Sequence, residues 1–562
     1  MTKIEKHFLD YNFFEKKYFD EKKNGKIDSE LLFHKKKYKF FIKELTYRFN
    51  SLLNKNYSEK FWNIVIGKFI FYHLHQCQEI YNSFNNIVNL YKKKTKIINP
   101  KFYKTPSTMV DYQNFIQCCE MGRQQIFSIL IKEKIINSKI LYYKNKFVFP
   151  KIKKEVTSRK IDKKLTLLFK RIRNYIYRKI KKPNMLISGC IWSFEERIDI
   201  QYKSYGKIKA DNFYIPEKKK IRFNKELRDQ IFSSKKYSNN FDKFFFETLK
   251  YCCPLSIFEN LNYRISKAET YLDQHKNLKY ILNENLSEDN LTLLGVAKNK
   301  NIKLIYCEHN TLAHQYKQNW TLFITNLFDY YFTLGWKDKS KKFFAGGSLF
   351  PWIKVKNYKQ SIKKKILFIP TLPIKRTLFN SSIYGEDSFN NENYYNINKL
   401  FFSNIDEKIS KEIVYKKYPN IINLDLSDHE NKIDELVKNN KITIIDNSKR
   451  LIDKDFENSK LIVVNYLKTS LIQSLKSNIP TVIFYNNKSY SLKRKYKNFF
   501  KDLNSASIIH KNPILAAKFV NKIGYDPYKW WNSKKTKKAR EKFILKNLKS
   551  GDELKKLILN FA

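Results

Sequence analysis

The chain has 562 residues, 42% of them hydrophobic, and a formal net charge of +57 from 110 Lys and Arg against 53 Asp and Glu. Such a length supports two or three domains with complete cores and excludes a wholly disordered chain. The positive excess is mostly Lys dispersed among Asn, Ile, Tyr and Phe with only 12 Gly, which reads as codon drift toward A and T more than as a dedicated nucleic-acid surface, though it attracts acidic membranes and phosphorylated ligands.

The N-terminus MTKIEKHFLDYNFFEKKYFDEKK lacks the apolar core of a signal peptide. The most apolar segment, Phe61 to Leu74, is interrupted by Asn63 and Lys68 and is too short to span a bilayer. Seven cysteines, odd in number and without a C-x-x-C pair, encode neither a disulfide framework nor a zinc site. The expectation is a cytoplasmic protein in a reducing compartment, without transmembrane helices.

Residues 1 to about 140 read as helices, through FWNIVIGKFIFYHLHQCQEIYNSFNNIV and MVDYQNFIQCCEMGRQQIFSILIKEKI. His73 and His75 lie two apart, point in different directions on a helix and make a poor metal pair. Between Lys163 and Lys182 stand nine Lys or Arg and no acid, while Leu165, Leu168, Phe169, Ile172, Ile176 and Ile180 share one helical face. Such a helix either lies on an anionic lipid surface or packs into the core with a solvated basic back.

From Asn184 the pattern alternates: MLISGCIW as a strand, a long helical stretch to about Gln274, the strand LKYILNEN, the helix EDNLTLLGVAKNK, then the strands IKLIYCEHN and DYYFTLGW. Alternation of this kind implies a parallel, doubly wound sheet, whose ligands bind at the carboxyl ends of the strands. Glu308, His309 and Asn310 leave one such strand, so an acid and an imidazole stand at that edge.

The segment GGSLFPWIKVKNYKQSIKKK marks a boundary near residue 355. KILFIPTLP then starts a second sheet, followed by a helix from Asn396 to Lys417, short strands IINLDL and ITIIDN, and the unit LIVVNYLKTSLIQSLKSNIPTVIFY. This last stretch is the clearest βαβ pattern in the chain: two apolar runs flank a helix opened by Thr469 and Ser470 and stopped by Asn478. Hydroxyls and free amides at that helix start suit an anion, most plainly a phosphate. Asp446 ends ITIID in the same half. Further α/β pieces follow, and a helix from about Asp526 through WWNSKKTKKAREKFILKNL closes the chain. P-loop, G-x-G-x-x-G, H-E-x-x-H and G-x-S-x-G motifs are absent from the sequence.

The expected architecture is α/β: a helical N-terminal region (1–183), a Rossmann-like acceptor-side domain (184–355) and a Rossmann-like nucleotide-donor domain (356–562), the GT-B plan of nucleotide-sugar glycosyltransferases. The chain also resembles a family of transferases encoded with bacterial surface-polysaccharide and lipopolysaccharide genes, related in outline to polyol-phosphate transferases. FWNIVIGKFIF resembles the family's early Trp-containing helix, and Pro254 and Glu259 match its P-x-x-x-x-E segment. His309 resembles the His of its Q-H-G-G segment, and Phe332, Gly335 and Trp336 resemble those of its D-x-F-x-x-G-W segment, with Asp329 one residue further from Phe332 than the pattern's Asp; DNSKRL, the βαβ unit and YKWWNSKKTKKAREKF resemble its C-terminal half. Glu308 and Asn310 depart from the family's Gln and Gly, and Gln473 stands where the family carries a Glu suited to a ribose diol.

The resemblance implies a metal-independent transferase acting on a nucleotide-activated sugar and a glycan or lipid-linked acceptor. It has no cofactor beyond that donor, no specific nucleic-acid partner, and a place on the inner membrane face. In that reading His309, Glu308 and Asp329 serve catalysis, and Thr469, Ser470, Gln473 and Asp446 hold the donor. The alternatives are a polyol-phosphate transferase of the same fold and a non-catalytic basic nucleic-acid-binding protein, the latter disfavoured by the lack of RRM, KH or helix-turn-helix signatures.

Overall fold

The computed structural model describes residues 26–90, 105–117, 183–216, 221–233, 239–308, 312–316, 319–349, 365–370, 391–417, 429–445, 452–467, 469–485 and 492–562, with a few short pieces besides. The basic segment from Lys163 to Lys182, the strand expected at IINLDL, His309 and Asp446 lie outside the described residues.

Two six-stranded sheets, parallel throughout, organise the chain. The first contains β1 (Met185–Ser188), β2 (Ile208–Ala210), β3 (Tyr280–Asn283), β4 (Lys303–Cys307), β5 (Tyr330–Thr333) and β6 (Phe343–Ala345), in the order β2-β1-β3-β4-β5-β6. The second contains β7 (Lys365–Ile369), β8 (Ile413–Lys416), β9 (Thr443–Ile445), β10 (Ser459–Val464), β11 (Thr481–Phe484) and β12 (Ile509–His510), ordered β9-β8-β7-β10-β11-β12. That is the 3-2-1-4-5-6 order of a doubly wound nucleotide-binding sheet, and the first sheet has the related 2-1-3-4-5 order extended by one strand. The direction of winding reverses between β1 and β3 in one sheet and between β7 and β10 in the other, the points near which doubly wound sheets in general bind their ligands. The expected α/β plan of two Rossmann-like sheets in tandem is the observed one.

Three hydrophobic clusters follow from strand alternation. Met185, Ile187, Leu282, Ile305 and Phe332 form one face of the first sheet; Ile366, Phe368, Leu461, Val463 and Val482 form one face of the second. The opposite faces, with Leu186, Ile281, Leu304, Leu367, Ile462 and Val464, belong to one continuous core that also takes in the N-terminal helices. Those helices are α1 (Lys26–Leu53), α2 (Glu59–Val65) and α3 (Gly67–Leu90). Ser58 caps α2 by accepting from the Phe61 amide at 3.2 Å. His73 is packing, not ligation: its ring nitrogens meet Tyr112 Oη at 2.9 Å and Thr248 Oγ1 at 2.8 Å.

Several expectations need correction. The stretch to Gln274 is not wholly helical, because β2 forms the sheet edge within it; three residues are too few to display a period of two. The same holds for β6. The helix expected from Asn396 to Lys417 is instead Asn391–Phe402, a single turn at Glu407–Ser410 and the buried strand β8, since Ile413, Val414 and Tyr415 favour a pleated, packed surface over helix. The closing helix is three: Pro527–Trp531, Lys534–Asn547 and Gly551–Phe561. The last returns to the first sheet, where Leu554 and Ile558 join its outer core and Lys555 Nζ reaches Glu196 at 2.5 Å and Asp199 at 2.7 Å. Gly335 makes that return possible: at φ +141 it pairs with Leu548, and a Cβ there would sit 2.5 Å from the Lys549 nitrogen.

Candidate functional site

At the carboxyl edge of the first sheet the ladder carries on one residue past β4, the Glu308 amide donating to the Phe332 carbonyl at 2.8 Å. This pins the Glu308 side chain, 3% exposed, against the turn after β5. Its Oε2 accepts from the Leu334 amide at 3.0 Å and from the Trp336 indole Nε1 at 2.7 Å. Its Oε1 is equally buried and has no partner among the described residues. Burial pushes this carboxyl up to about 8, only partly offset by the Leu334 and Trp336 donors. A carboxyl in that state carries its proton at neutral pH and loses it within reach of physiological conditions.

Trp336, 1% exposed, is held by a turn in which Thr333 Oγ1 donates to the Trp336 carbonyl at 2.6 Å and accepts from the Gly335 amide at 3.2 Å. On its other side lies His314, stacked at 4.9 Å between ring centroids with planes 13° apart. His314 Nδ1 is buried without a partner among the described residues, as are both amide atoms of Gln315. Burial, then Lys493 and Lys495, push the imidazole down to about 3, so it is neutral across the physiological range. Sequence reasoning fixed on His309 and passed over His314 and Gln315. The signal available was one more histidine five residues on, with nothing in the sequence to show that it stacks on Trp336.

The second half of the chain touches this same edge. Tyr316 and Leu492 form an antiparallel bridge, the Lys493 amide donates to the Gln315 carbonyl at 2.8 Å, and Lys493 Nζ donates to the His314 carbonyl at 2.7 Å. Asp338 accepts from Tyr496 Oη at 2.7 Å and pairs with Lys495. Burial raises the Asp338 carboxyl, but Lys495, Tyr496 and the Ser340 amide outweigh it and hold the group at about 2. The clasp therefore ties the loop from Lys493 to Tyr496 to the turn that supports Glu308.

In the second sheet the helix expected after LIVV is present as Thr469–Lys476, and Asn478 stops it in the left-handed region at φ +55. Thr469 is half-buried, whereas Ser470 and Gln473 are buried. The Ser470 hydroxyl meets Tyr466 Oη at 2.5 Å, which ties the helix start to the loop leaving β10. Beside it, at the point where winding reverses, Asn465 donates to Asn398 Oδ1 at 3.0 Å in a buried amide pair. Thr469, Ser470 and Gln473 thus share the carboxyl edge of the second sheet, as Glu308 does for the first.

Asp329 is elsewhere. It precedes β5, its carboxylate accepting from Lys298 Nζ at 2.7 and 2.9 Å and from the Leu304 amide at 2.9 Å. Leu304 lies near the start of β4 and Glu308 follows its end, so the two carboxyls are separated by about four residues of strand, roughly 13 Å. The structure does not bring Asp329 to the edge that holds Glu308. Among the described residues no group of three or more His, Cys, Asp or Glu is arranged to hold a metal ion, and no helix is long and apolar enough to cross a membrane.

Comparison with known proteins adds the following. The sequence pattern of the family described as "LIC12162 family transferase" matches residues 5–561. No curated protein matches. Among solved structures, the S. aureus MnaA–UDP complex aligns with 67% of this chain and 95% of its own at 12% identity and TM-score 0.35. The Neisseria meningitidis UDP-GlcNAc 2-epimerase bound to UDP-GlcNAc aligns with 67% and 98% at 10% identity and TM-score 0.36. The wall teichoic acid polymerase TagF aligns with 71% and 94% at 12% identity and TM-score 0.33.

Proposed function

Since the chain belongs to the LIC12162 family of transferases, we propose that it moves a sugar or closely related group from a nucleotide-activated donor to a surface-glycan acceptor, with the chemistry at the carboxyl edge of the first sheet. The observation that carries this reading is Glu308: a buried carboxyl with one oxygen held by two donors and the other without a partner among the described residues. An unpaired buried oxygen costs about 1 to 3 kcal/mol, a cost that a substrate hydroxyl donating to it would remove.

In the proposed reaction the ionised form of Glu308, about a tenth of the population at pH 7 for a pKa of about 8, takes the acceptor hydroxyl's proton as that oxygen bonds to the transferred carbon, and the nucleoside phosphate departs with the electron pair of the broken bond. A base whose pKa lies near the working pH suits that step, and about 8 is near it. His309, the next residue in sequence, is proposed to assist in orienting the acceptor. The donor phosphates are assigned to the helix start at Thr469 and Ser470, with Gln473 and Asp446 toward the nucleoside, because doubly wound sheets bind nucleotides at the reversal of winding. No metal is assigned a role. A lipid-linked acceptor at the inner membrane face accords with the family resemblance and with a charge of +57.

The test is a screen of nucleotide-activated sugars and nucleotide-activated polyols for protection against thermal unfolding, followed by transfer assays with the protecting donor. Transfer by the wild-type chain that is lost in Glu308→Gln, with donor protection retained, is the expected result. A Glu308→Gln protein that transfers at the wild-type rate rules Glu308 out as the base. Protection by an activated polyol alone moves the transferred group to the polyol-phosphate class.

A further inference from the structure

The opposite edge of the first sheet collects positive charge around a single acid. Helix Glu288–Asn299, capped at Ser287, carries Gly295 and Lys298 three residues apart and so on one face. α2 packs against that face at Gly295, where a Cβ would run into the Val65 side chain. The close approach delivers Lys60, on α2, to the same place as Lys298. Lys298 Nζ lies 2.7 Å from Asp329 Oδ1 and Lys60 Nζ 3.9 Å from the same oxygen. Lys342, just before β6, is anchored by the Thr325 carbonyl and lies close enough to feel Asp329, Lys60 and Lys298.

We propose that Lys60, Lys298 and Lys342, gathered around Asp329, form a binding site for a phosphate group at the amino edge of the first sheet. One carboxylate has two ammonium groups within 4 Å, Lys298 and Lys60, and a third just before the neighbouring strand, where the Tyr331 amide donates to the Lys342 carbonyl at 2.8 Å; its oxygens are already taken by Lys298 and the Leu304 amide. Two positive charges are therefore left over in a partly buried setting, with Lys303 adding a third nearby. The lysines respond to burial and to one another. Burial first, then the charge of Lys298, lowers Lys60 against the pull of Asp329; burial first, then Lys60 and Lys298, lowers Lys342, again against Asp329. A dianion placed among them would relieve the repulsion, and the Lys60 side chain, 44% exposed, leaves the site open to solvent.

The site is distinct from the edge that holds Glu308, being at the other end of the same strand. It takes either free phosphate and pyrophosphate or the phosphate of a lipid headgroup. A chain with such an excess of lysine binds anions everywhere weakly, so the test compares like with like. Pyrophosphate binding to the full chain, by calorimetry at constant ionic strength, is measured for the wild type, for Lys60→Gln/Lys342→Gln, and for a charge-matched control, Lys534→Gln/Lys535→Gln, on an exposed helix start.

Loss of two charge-assisted contacts should weaken the site-specific affinity by about tenfold or more, while the control changes by less than about twofold. The doubly substituted protein should unfold no earlier than wild type without ligand, since repulsion is removed. Equal weakening in both variants, or wild-type binding no stronger than to chloride, overturns the proposal. Displacement of pyrophosphate by phosphatidic acid vesicles, but not by phosphatidylcholine vesicles, assigns the site to a headgroup; no displacement by either assigns it to the free ion.

Discussion

The state of Glu308 makes a prediction that separates it from an ordinary buried carboxylate. In the unfolded chain the group titrates near 4.5 and in the fold near 8. A raised carboxyl pKa means that folding favours the protonated form, so the associated stability is complete below 4.5 and is lost as pH rises toward 8. The span is about 3.5 pH units, and at 1.36 kcal/mol per unit the loss approaches 5 kcal/mol at its plateau. Glu308→Gln keeps the shape: its carbonyl accepts from Leu334 and Trp336, and its NH2 takes the place of Oε1. Without a charge to bury, the variant should be about equal to wild type below pH 4.5 and more stable above it. The advantage grows by about 1.4 kcal/mol per pH unit to roughly 3 kcal/mol at pH 7. Urea unfolding of both proteins at pH 5, 6, 7 and 8 measures the difference directly. A stability difference that does not change with pH would refute the argument, because it would mean that Glu308 is charged or uncharged alike in both states. The same substitution should abolish transfer, giving a variant that is more stable and less active, as expected where a site stores an unfavourable group for function.

Three further outcomes test the assignments. His309→Ala should lower turnover by a factor on the order of 100 through a misplaced acceptor, with donor binding nearly unchanged, measured by steady-state kinetics on the donor found by screening; retention of most turnover would make His309 structural. Thr469→Ala with Ser470→Ala should weaken nucleotide binding by about 1 to 3 kcal/mol, and Ser470→Ala alone should also loosen Tyr466, which calorimetry and Tyr466→Phe together separate. Asp338→Asn should destabilise the clasp to Lys495 and Tyr496 by about 1 kcal/mol at pH 7. Its carboxyl falls from 3.8 to about 2 on folding, so that effect is present above pH 4 and should fade as pH falls toward 2; a deficit undiminished near pH 2 argues that packing and not charge is responsible.

The fold was legible wherever elements were long or buried on both faces. β10, the helix from Thr469 and β11 stand where LIVV, TSLIQSLK and TVIF place them, because an apolar β-branched run enclosed on two sides has few alternatives. Asn478 stopped its helix in the left-handed conformation as its position implied, with its Oδ1 also accepting from Trp531 Nε1 at 3.0 Å. The misses share a cause. β2 and β6 have three residues each, and β8 has four that follow a helical turn after two intervening residues; such strands exist because neighbouring strands complete their hydrogen bonds, information that no local window contains. The return of the last helix to the first sheet was unreadable for the same reason, as it depends on Gly335 meeting Leu548 from more than 200 residues away.

The site divides differently. The strand edge beyond IKLIYC is singled out by the rule that parallel sheets bind ligands at their carboxyl ends, and that rule needs only the order of elements. What the rule did not supply was rank among Glu308, His309 and Asp329. Sequence resemblance placed Asp329 with the catalytic group because it belongs to the same motif as Trp336, yet a strand has two ends and the motif spans both. Asp329 precedes β5 and anchors Lys298 and the Leu304 amide; Trp336 follows it and donates to Glu308. One motif therefore serves two jobs about four residues of strand apart: its acid fixes the lysines at the amino edge, and its tryptophan holds the carboxyl at the other. On that division, Asp329→Asn should disturb Lys60 and Lys298 and leave the pH dependence of Glu308 intact, while Trp336→Phe should do the reverse by removing a donor from Oε2 and raising the Glu308 carboxyl further. A Trp336→Phe protein whose difference from its Glu308→Gln double variant keeps the wild-type pH profile would show that the indole has no hold on the proton of Glu308.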